Sequence, residues 1–259
     1  ENGLDYQRKQ ILVSTGAKQT IFNLILAVIG PGDGAVSPAP YWVSYNEMIK
    51  MCMGTPVVVT PEDGTFTPRF EDIERALTSS TRAIIVNSPN NPSGAIYPPE
   101  LIEKIVNMCE KKGIFMICDD IYHKLTFDRN VAVPAYHFTK KDVENSHIVV
   151  VNGVAKLYGM TGFRVGWVVA PRDLTRVMSN VLAQTTSCVS PIAQAAAEGA
   201  LNGLQSVVEA LRLRTLDAAL ADYGISIRIE PGNVESYDYR ADVYQQQGDL
   251  DRALEDYNH

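Results

Sequence analysis

Short apolar runs alternate with amphipathic segments along the chain up to residue 201. Apolar runs bounded by Gly, Pro or Asn are typical of strands that are buried on both faces. Apolar residues spaced three and four positions apart indicate helices that cover such strands. The predicted strands are 10–13, 34–37, 57–60, 83–87, 114–118, 148–151 and 165–170. The predicted helices are 19–29, 69–78, 100–112, 172–184 and 190–201.

This alternation determines the predicted fold class. Strands separated by helices favour an α/β fold, with a mostly parallel sheet flanked by helices. The chain has 259 residues, of which 46% are hydrophobic, and it can therefore bury a large core. We assign residues 1–212 to this α/β domain and residues 213–259 to a separate helical segment.

Charge and composition exclude several functional classes. The formal net charge of −7 gives no basic surface for nucleic acid. The sequence has no run of 18 apolar residues and no signal-peptide pattern at its start, so we predict a cytoplasmic protein without a membrane segment. Its cysteines and histidines lack the spacing of metal ligands, and we predict no metal site.

A lysine behind an apolar strand is the first candidate for chemistry. Lys156 follows the strand 148–151, and Arg164 comes eight residues later behind a Met-Thr-Gly turn. An amine that forms an imine needs a fixed, shielded position, which a strand end provides. A permanently charged arginine suits a phosphate. The pair fits pyridoxal phosphate held as a Schiff base, although two structural residues at strand ends would give the same pattern.

Carboxylates at the end of another apolar strand are the second candidate. Asp119, Asp120 and Tyr122 follow the strand 114–118. A buried strand has little reason to end in a carboxylate that lacks a partner, and a protonated pyridine nitrogen is such a partner. Tyr122 would then reach the phenolic oxygen of the same ring. The alternative is that Asp119 or Asp120 caps a following helix.

Three further turns add polar and aromatic groups. Asn91 lies in an Asn/Pro-rich loop behind a strand, in which either proline can be cis. Gly16, Ala17 and Lys18 open a helix, where backbone N–H groups bind phosphate and a glycine permits close approach. Trp42 offers a flat face on which a ring can stack. Each of these turns, taken alone, has an ordinary structural explanation.

In this order and spacing, the motifs resemble the class I/II aminotransferases, which are fold-type I enzymes dependent on pyridoxal phosphate. The resemblance covers residues 1–212 and is closest to the prokaryotic aspartate aminotransferases. It implies a homodimer that transfers an amino group between an amino acid, with an aspartate-like donor favoured, and a 2-oxo acid. Asp120 stands where the family more often has glutamate.

The resemblance also implies a role for each candidate residue. Lys156, Asp119 and Tyr122 would be catalytic, with Lys156 forming the Schiff base and Asp119 contacting the pyridine nitrogen. Asn91 and Tyr122 would bind the phenolic oxygen. The remaining cofactor contacts, by ring stacking and at the phosphate, would come from Trp42, Gly16, Ala17, Lys18 and Arg164.

The last part of the sequence changes character. The motif Ala-Leu-x-Asp-Tyr occurs at 219–223 and again at 253–257, which is 34 residues later. A period of this length, with Gly248 between predicted helices, resembles the tetratricopeptide repeat. We therefore predict truncated tetratricopeptide-repeat-like helices in 213–259 with a peptide or protein partner. Two unrelated amphipathic helices are the alternative.

Two parts of the aminotransferase pattern find no match in this sequence. No segment resembles the family's small domain, with its substrate-clamping arginine, or the N-terminal arm. We therefore expect the chain to bind the cofactor but to transaminate poorly. One alternative is a catalytically inactive cofactor-binding fragment fused to a repeat module for protein interaction. Another is a lyase or decarboxylase of the same fold type.

Overall fold

A seven-stranded sheet forms the centre of the first of two compact units. The computed structural model describes residues 5–62, 64–127 and 130–259, and the counts below refer to these. The strands are β1 (Ile11–Ser14), β2 (Gly34–Pro38), β3 (Thr55–Val59), β4 (Thr81–Val86), β5 (Phe115–Asp119), β6 (Ile148–Gly153) and β7 (Gly166–Val169).

The strand order is β1-β7-β6-β5-β4-β2-β3. Strands β2 to β6 pair in parallel, whereas β7 runs antiparallel to both β6 and β1. The predicted α/β class with a mostly parallel sheet is therefore confirmed. All seven predicted strands are present, with ends that differ by a few residues.

Six helices accompany this sheet within the described residues of the first unit. They are α1 (Ala17–Val28), α2 (Ser44–Met51), α3 (Phe70–Arg75), α4 (Pro99–Lys112), α5 (Arg172–Thr185) and α6 (Pro191–Asn202). Five were predicted, and α2 was missed because its apolar positions span only two turns. Pro99 starts α4 in the first turn, and Gly113 ends it in the left-handed conformation at φ 69°.

Helices bury both faces of the sheet. On one face α1, α2 and α5 pack against β5, β6 and β7 through residues such as Ile25, Ile49 and Met178. On the other face α3 and α4 contribute Ile73 and Ile105. Burial on both faces explains why the strand sequences are continuously apolar rather than alternating.

The topology places polar residues from distant segments at one edge. Strands β4, β5 and β6 are parallel, so their carboxyl ends lie at the same edge of the sheet. Asn87 follows β4, Asp119 ends β5, and Lys156 lies three residues after β6. The fold therefore brings together side chains that are up to 69 positions apart in the sequence.

The second unit includes Gly203–His259 and is helical. Its helices are α7 (Ser206–Ile229), α8 (Val234–Gln246) and α9 (Leu250–Tyr257). The side chains of Asn233 and Asp249 cap α8 and α9 by accepting backbone N–H groups. The tetratricopeptide assignment and the boundary after residue 212 both stay predictions. Among the described residues, none of the helices combines the length and apolarity that crossing a membrane requires.

Candidate active site

A cavity of about 190 Å³ lies at the carboxyl edge of the sheet. Eight of the nine residues predicted for the site line it: Ala17, Lys18, Trp42, Asn91, Asp119, Tyr122, Lys156 and Arg164. The ninth, Gly16, lies against the guanidinium of Arg164. The structure therefore brings the predicted residues together around a single cavity.

The carboxylate of Asp119 is buried at this cavity, with 5% of the residue exposed. One oxygen, Oδ2, accepts a hydrogen bond from the Tyr45 hydroxyl at 2.6 Å. The other oxygen, Oδ1, is buried and has no hydrogen-bond partner among the described residues. Burying a carboxylate oxygen without a donor is costly, so the site is suited to a ligand that supplies a donor or a cation at this position.

Burial changes the protonation of both adjacent carboxylates. It raises the pKa of Asp119 to about 6, against the opposing effects of the Tyr45 hydroxyl and of the Ile121 backbone N–H. Burial and the charge of Asp119 together raise the pKa of Asp120 to about 7. Residues 121–124 form turns rather than a helix, so neither carboxylate is a helix cap. A cation bound beside Asp119 would lower its pKa and stabilise the carboxylate.

Lys156 and Tyr122 face each other across the cavity. The Lys156 Nζ lies 5.6 Å from the centroid of the Tyr122 ring. The Tyr122 hydroxyl accepts a long hydrogen bond of 3.5 Å from Asn91 Nδ2. An amine, a phenol and an amide therefore surround one part of the cavity.

Asn87 connects the Asn/Pro loop to the end of β5. Its Nδ2 donates to the Asp119 carbonyl at 2.7 Å, and its Oδ1 accepts from the Asn91 backbone N–H at 2.7 Å. The peptide bonds before both loop prolines, Pro89 and Pro92, are cis. Asn87 thereby fixes the position of Asn91 relative to Asp119.

The geometry of an anion site is present where α1 begins. Gly16 adopts φ 85°, and no side chain caps the first turn of α1, which leaves backbone N–H groups for a ligand. The Arg164 guanidinium lies so close that a Cβ on Gly16 would be 2.5 Å from its Nη2. Its Nη1 donates to the Thr161 carbonyl at 3.0 Å. A permanent positive charge and a helix N-terminus therefore converge at the same place.

Trp42 forms another wall of the cavity. Its ring meets that of Tyr45 edge-on, with centroids 5.4 Å apart. The Lys18 Nζ lies 4.8 Å from the centroid of the same indole. These contacts hold the indole in place beside the cavity, where an aromatic ligand can stack on it.

Two residues of this site had no role in the sequence prediction. Tyr45 and Asn87 both hydrogen-bond Asp119, from positions 74 and 32 residues away in the sequence. Asn87 is polar at the end of a buried strand, and this same signal pointed to Asp119. Tyr45 looks like an apolar position of α2, and nothing local to it indicated its partner.

This sheet, with a lysine, a carboxylate and an arginine around one cavity at its carboxyl edge, has the architecture of enzymes that bind pyridoxal 5′-phosphate. The chain belongs to the class I and II aminotransferases, whose family model matches residues 1–229. Members of this family use that cofactor. The buried Asp119 Oδ1, unpaired among the described residues, and the glycine beside Arg164 are consistent with its pyridinium and phosphate ends.

Curated relatives carry aminotransferase names. A probable aspartate/prephenate aminotransferase of Thermus aquaticus is 38% identical over 208 residues, covering 80% of this chain and 52% of the relative. An asparagine–oxo-acid transaminase of Streptococcus mutans is 41% identical over 211 residues, covering 81% and 53%. The chain thus spans about half the length of the curated relatives it matches.

Solved structures agree in fold. The aspartate aminotransferase of Rhizobium meliloti superposes with a TM-score of 0.80 at 35% identity, covering 86% of this chain and 56% of that one. The Thermus thermophilus aspartate aminotransferase with maleate gives a TM-score of 0.78 at 30% identity, covering 99% and 77%.

Proposed function

We propose that the cavity holds pyridoxal 5′-phosphate and serves transamination between an amino acid and a 2-oxo acid. An aspartate-like dicarboxylate is the favoured donor in this proposal, in line with the names of the relatives. One observation carries it: Asp119 presents a buried carboxylate oxygen, which has no hydrogen-bond partner in the part of the chain that the structure describes, to a cavity that Lys156 and Arg164 also line.

Different residues of this chain would bind different parts of the cofactor. Arg164 and the backbone at the start of α1, at Gly16, Ala17 and Lys18, would hold the phosphate. Trp42 would stack on the ring. Asn91 and Tyr122 would hydrogen-bond the phenolic oxygen.

Asp119 would hold a proton on the ring nitrogen. Its carboxylate is buried, so its attraction for a cation is screened less than it would be in water. The Tyr45 hydroxyl occupies Oδ2 and leaves Oδ1 for the nitrogen. When bound, the cofactor supplies a cationic conjugated ring that accepts the electron pair left when a substrate bond to Cα breaks.

Lys156 would have two tasks. Its Nζ would hold the cofactor through the aldehyde carbon. The same amine would serve as the base for the proton on the substrate's Cα. Lys156 is itself exposed, so the cavity walls alone do not shield its amine from water.

Three parts of the proposal concern assembly and location. We expect a homodimer and a cytoplasmic location, as the family resemblance and the sequence composition indicate. We also expect the helices α7 to α9 to act as a tetratricopeptide-like module for a peptide or protein partner. Asn233 and Asp249 cap two of these helices, which supports independent helical order in this segment.

A half-reaction tests the proposed function. Protein loaded with pyridoxal 5′-phosphate is mixed with aspartate and no 2-oxo acid, and absorbance and released oxaloacetate are followed. We expect a slow change in the cofactor spectrum and slow release of oxaloacetate, up to the amount of bound cofactor, in keeping with the poor transamination predicted from the sequence. Glutamate, alanine and Lys156→Ala serve as donor and site controls, with no release expected from the variant.

Bound cofactor whose spectrum aspartate and glutamate leave unchanged would contradict transamination and favour the inactive, cofactor-binding alternative. Release of carbon dioxide, or of a product without an oxo group, would instead indicate a lyase or decarboxylase.

A further inference from the structure

Gly166, the first residue of β7, passes directly beneath the start of α1. A Cβ built on it would lie 2.3 Å from the backbone nitrogen of Ala17 and 2.6 Å from the carbonyl carbon of Gly16. Both neighbours are backbone atoms, so no side-chain rotation can relieve the contact. Any side chain at 166 would push the start of α1 and the start of β7 apart.

The strand cannot move to make this room without breaking its own pairing. Gly166 pairs with Ser14 of β1 on one side and with Gly153 of β6 on the other. It is buried between these neighbours. The displacement would therefore fall on the first turn of α1, whose later residues Ile21, Leu24 and Ile25 stay packed in the core.

The same strand start also carries Arg164. This residue lies two positions before Gly166 in the left-handed conformation, at φ 55°, and its guanidinium lies against Gly16. The distance between the guanidinium and the N–H groups of α1 is thus set by how closely β7 approaches Gly16 and Ala17. This close approach is possible only because residue 166 is a glycine and has no side chain.

We propose that Gly166 is a positioning residue: it sets the spacing between Arg164 and the first turn of α1 so that both contact one phosphate group. This inference rests on the proposed function, because the phosphate is that of the cofactor. Gly166 touches no ligand itself. Its effect should therefore appear in the affinity for the phosphate and not in that for the ring.

The experiment compares pyridoxal 5′-phosphate with pyridoxal, which lacks the phosphate. Dissociation constants for both are measured by absorbance on wild type and Gly166→Ala. We expect wild type to prefer the phosphorylated form, and Gly166→Ala to reduce that preference by about 10- to 100-fold, since charge-assisted hydrogen bonds are lost. Affinity for pyridoxal should stay near the wild-type value.

One alanine variant serves as a matched control. Gly162→Ala lies in the same loop, exposed and with nothing within 4 Å of the added Cβ, and it should leave the preference unchanged.

Circular dichroism checks the fold of each variant. If Gly166→Ala does not fold, Gly16→Ala takes its place, because its Cβ would crowd the Arg164 guanidinium against the start of α1, 2.5 Å from Nη2. A folded variant that keeps the wild-type preference overturns the role of Gly166. Wild type that binds both forms equally contradicts the proposed phosphate site itself, which is a distinguishable result.

Discussion

Two carboxylates in different units of this protein are equally buried but differently paired. Asp119 in the sheet unit and Asp256 in the helical unit are each 5% exposed. Both oxygens of Asp256 accept hydrogen bonds from the Arg240 guanidinium, at 2.7 Å each. Asp119 has one such bond from Tyr45, and its other oxygen lacks a partner among the described residues.

The difference separates a structural carboxylate from one available to a ligand. Asp256 and Arg240 satisfy each other and connect α8 to α9. Asp119 bears the cost of burial without full compensation, and its pKa is raised accordingly. An incompletely satisfied buried charge facing a cavity is evidence for a binding site, whereas a fully paired one is evidence for packing.

The substitution Asp119→Ala should have the largest effect, which is a loss of cofactor affinity. Removing the carboxylate would leave a ring cation in the site without its partner, which costs about 2–5 kcal/mol of binding free energy. Absorbance titration with pyridoxal 5′-phosphate measures the loss. Asp120→Ala is the control and should lose much less, because Asp120 does not line the cavity. Equal losses at the two positions would show that the wrong carboxylate was chosen.

Asp120 should instead affect the pH dependence of stability. Its pKa is raised from 3.8 to about 7 in the folded protein, so folding favours its neutral form. Its contribution to the free energy of unfolding is therefore fully present below about pH 4 and is lost as the pH rises toward about 7, by up to about 4 kcal/mol. Asp120→Asn stays neutral at every pH.

Urea unfolding of the cofactor-free protein measures this effect. It is carried out from about pH 4 to about pH 8, the range over which the Asp120 carboxyl loses its proton. We expect the fall in unfolding free energy with pH to be shallower in Asp120→Asn than in wild type. Asp119→Asn should also flatten the curve, but over a lower pH window, because the pKa of Asp119 reaches only about 6. An unchanged slope in both variants would contradict the burial argument.

The smallest expected effect belongs to the helical unit. Asp256→Ala removes both acceptors of the Arg240 guanidinium and should lower the unfolding free energy by about 1–3 kcal/mol. Glu209→Ala breaks an exposed ion pair with Arg212 in α7 and should cost about 0–1 kcal/mol. Thermal unfolding measures both. Neither variant should change cofactor affinity. A change in affinity with Asp256→Ala would contradict the assignment of Asp256 as a structural carboxylate.

Much of the sheet unit could be predicted from sequence because burial on both faces leaves a local signal. Continuous apolar runs marked four of the strands as buried on both faces, shorter apolar runs marked the other three, and polar residues at strand ends marked most of the cavity. The antiparallel direction of β7 had no such signal, because pairing direction depends on where the chain returns. Helix α2 was too short for its apolar spacing to stand out.

The residues that sequence missed act through long-range contacts. Tyr45 reaches Asp119 across 74 positions, and Gly166 acts on the backbone of Gly16 and Ala17 from β7. In both cases the contacting residue lies far away in the sequence. In the helical unit, the 34-residue period indicated helices but not their extent, since α7 is one helix from Ser206 to Ile229.

The most direct test of the proposed site is the identity of the lysine that binds the cofactor. Protein loaded with pyridoxal 5′-phosphate is reduced with borohydride, digested, and mapped by mass spectrometry, with Lys156→Arg and Lys18→Arg in parallel. We predict that the label lies on Lys156, persists in Lys18→Arg, and is absent from Lys156→Arg. Label spread over surface lysines, with Lys156→Arg taking up as much as wild type, would contradict the assignment.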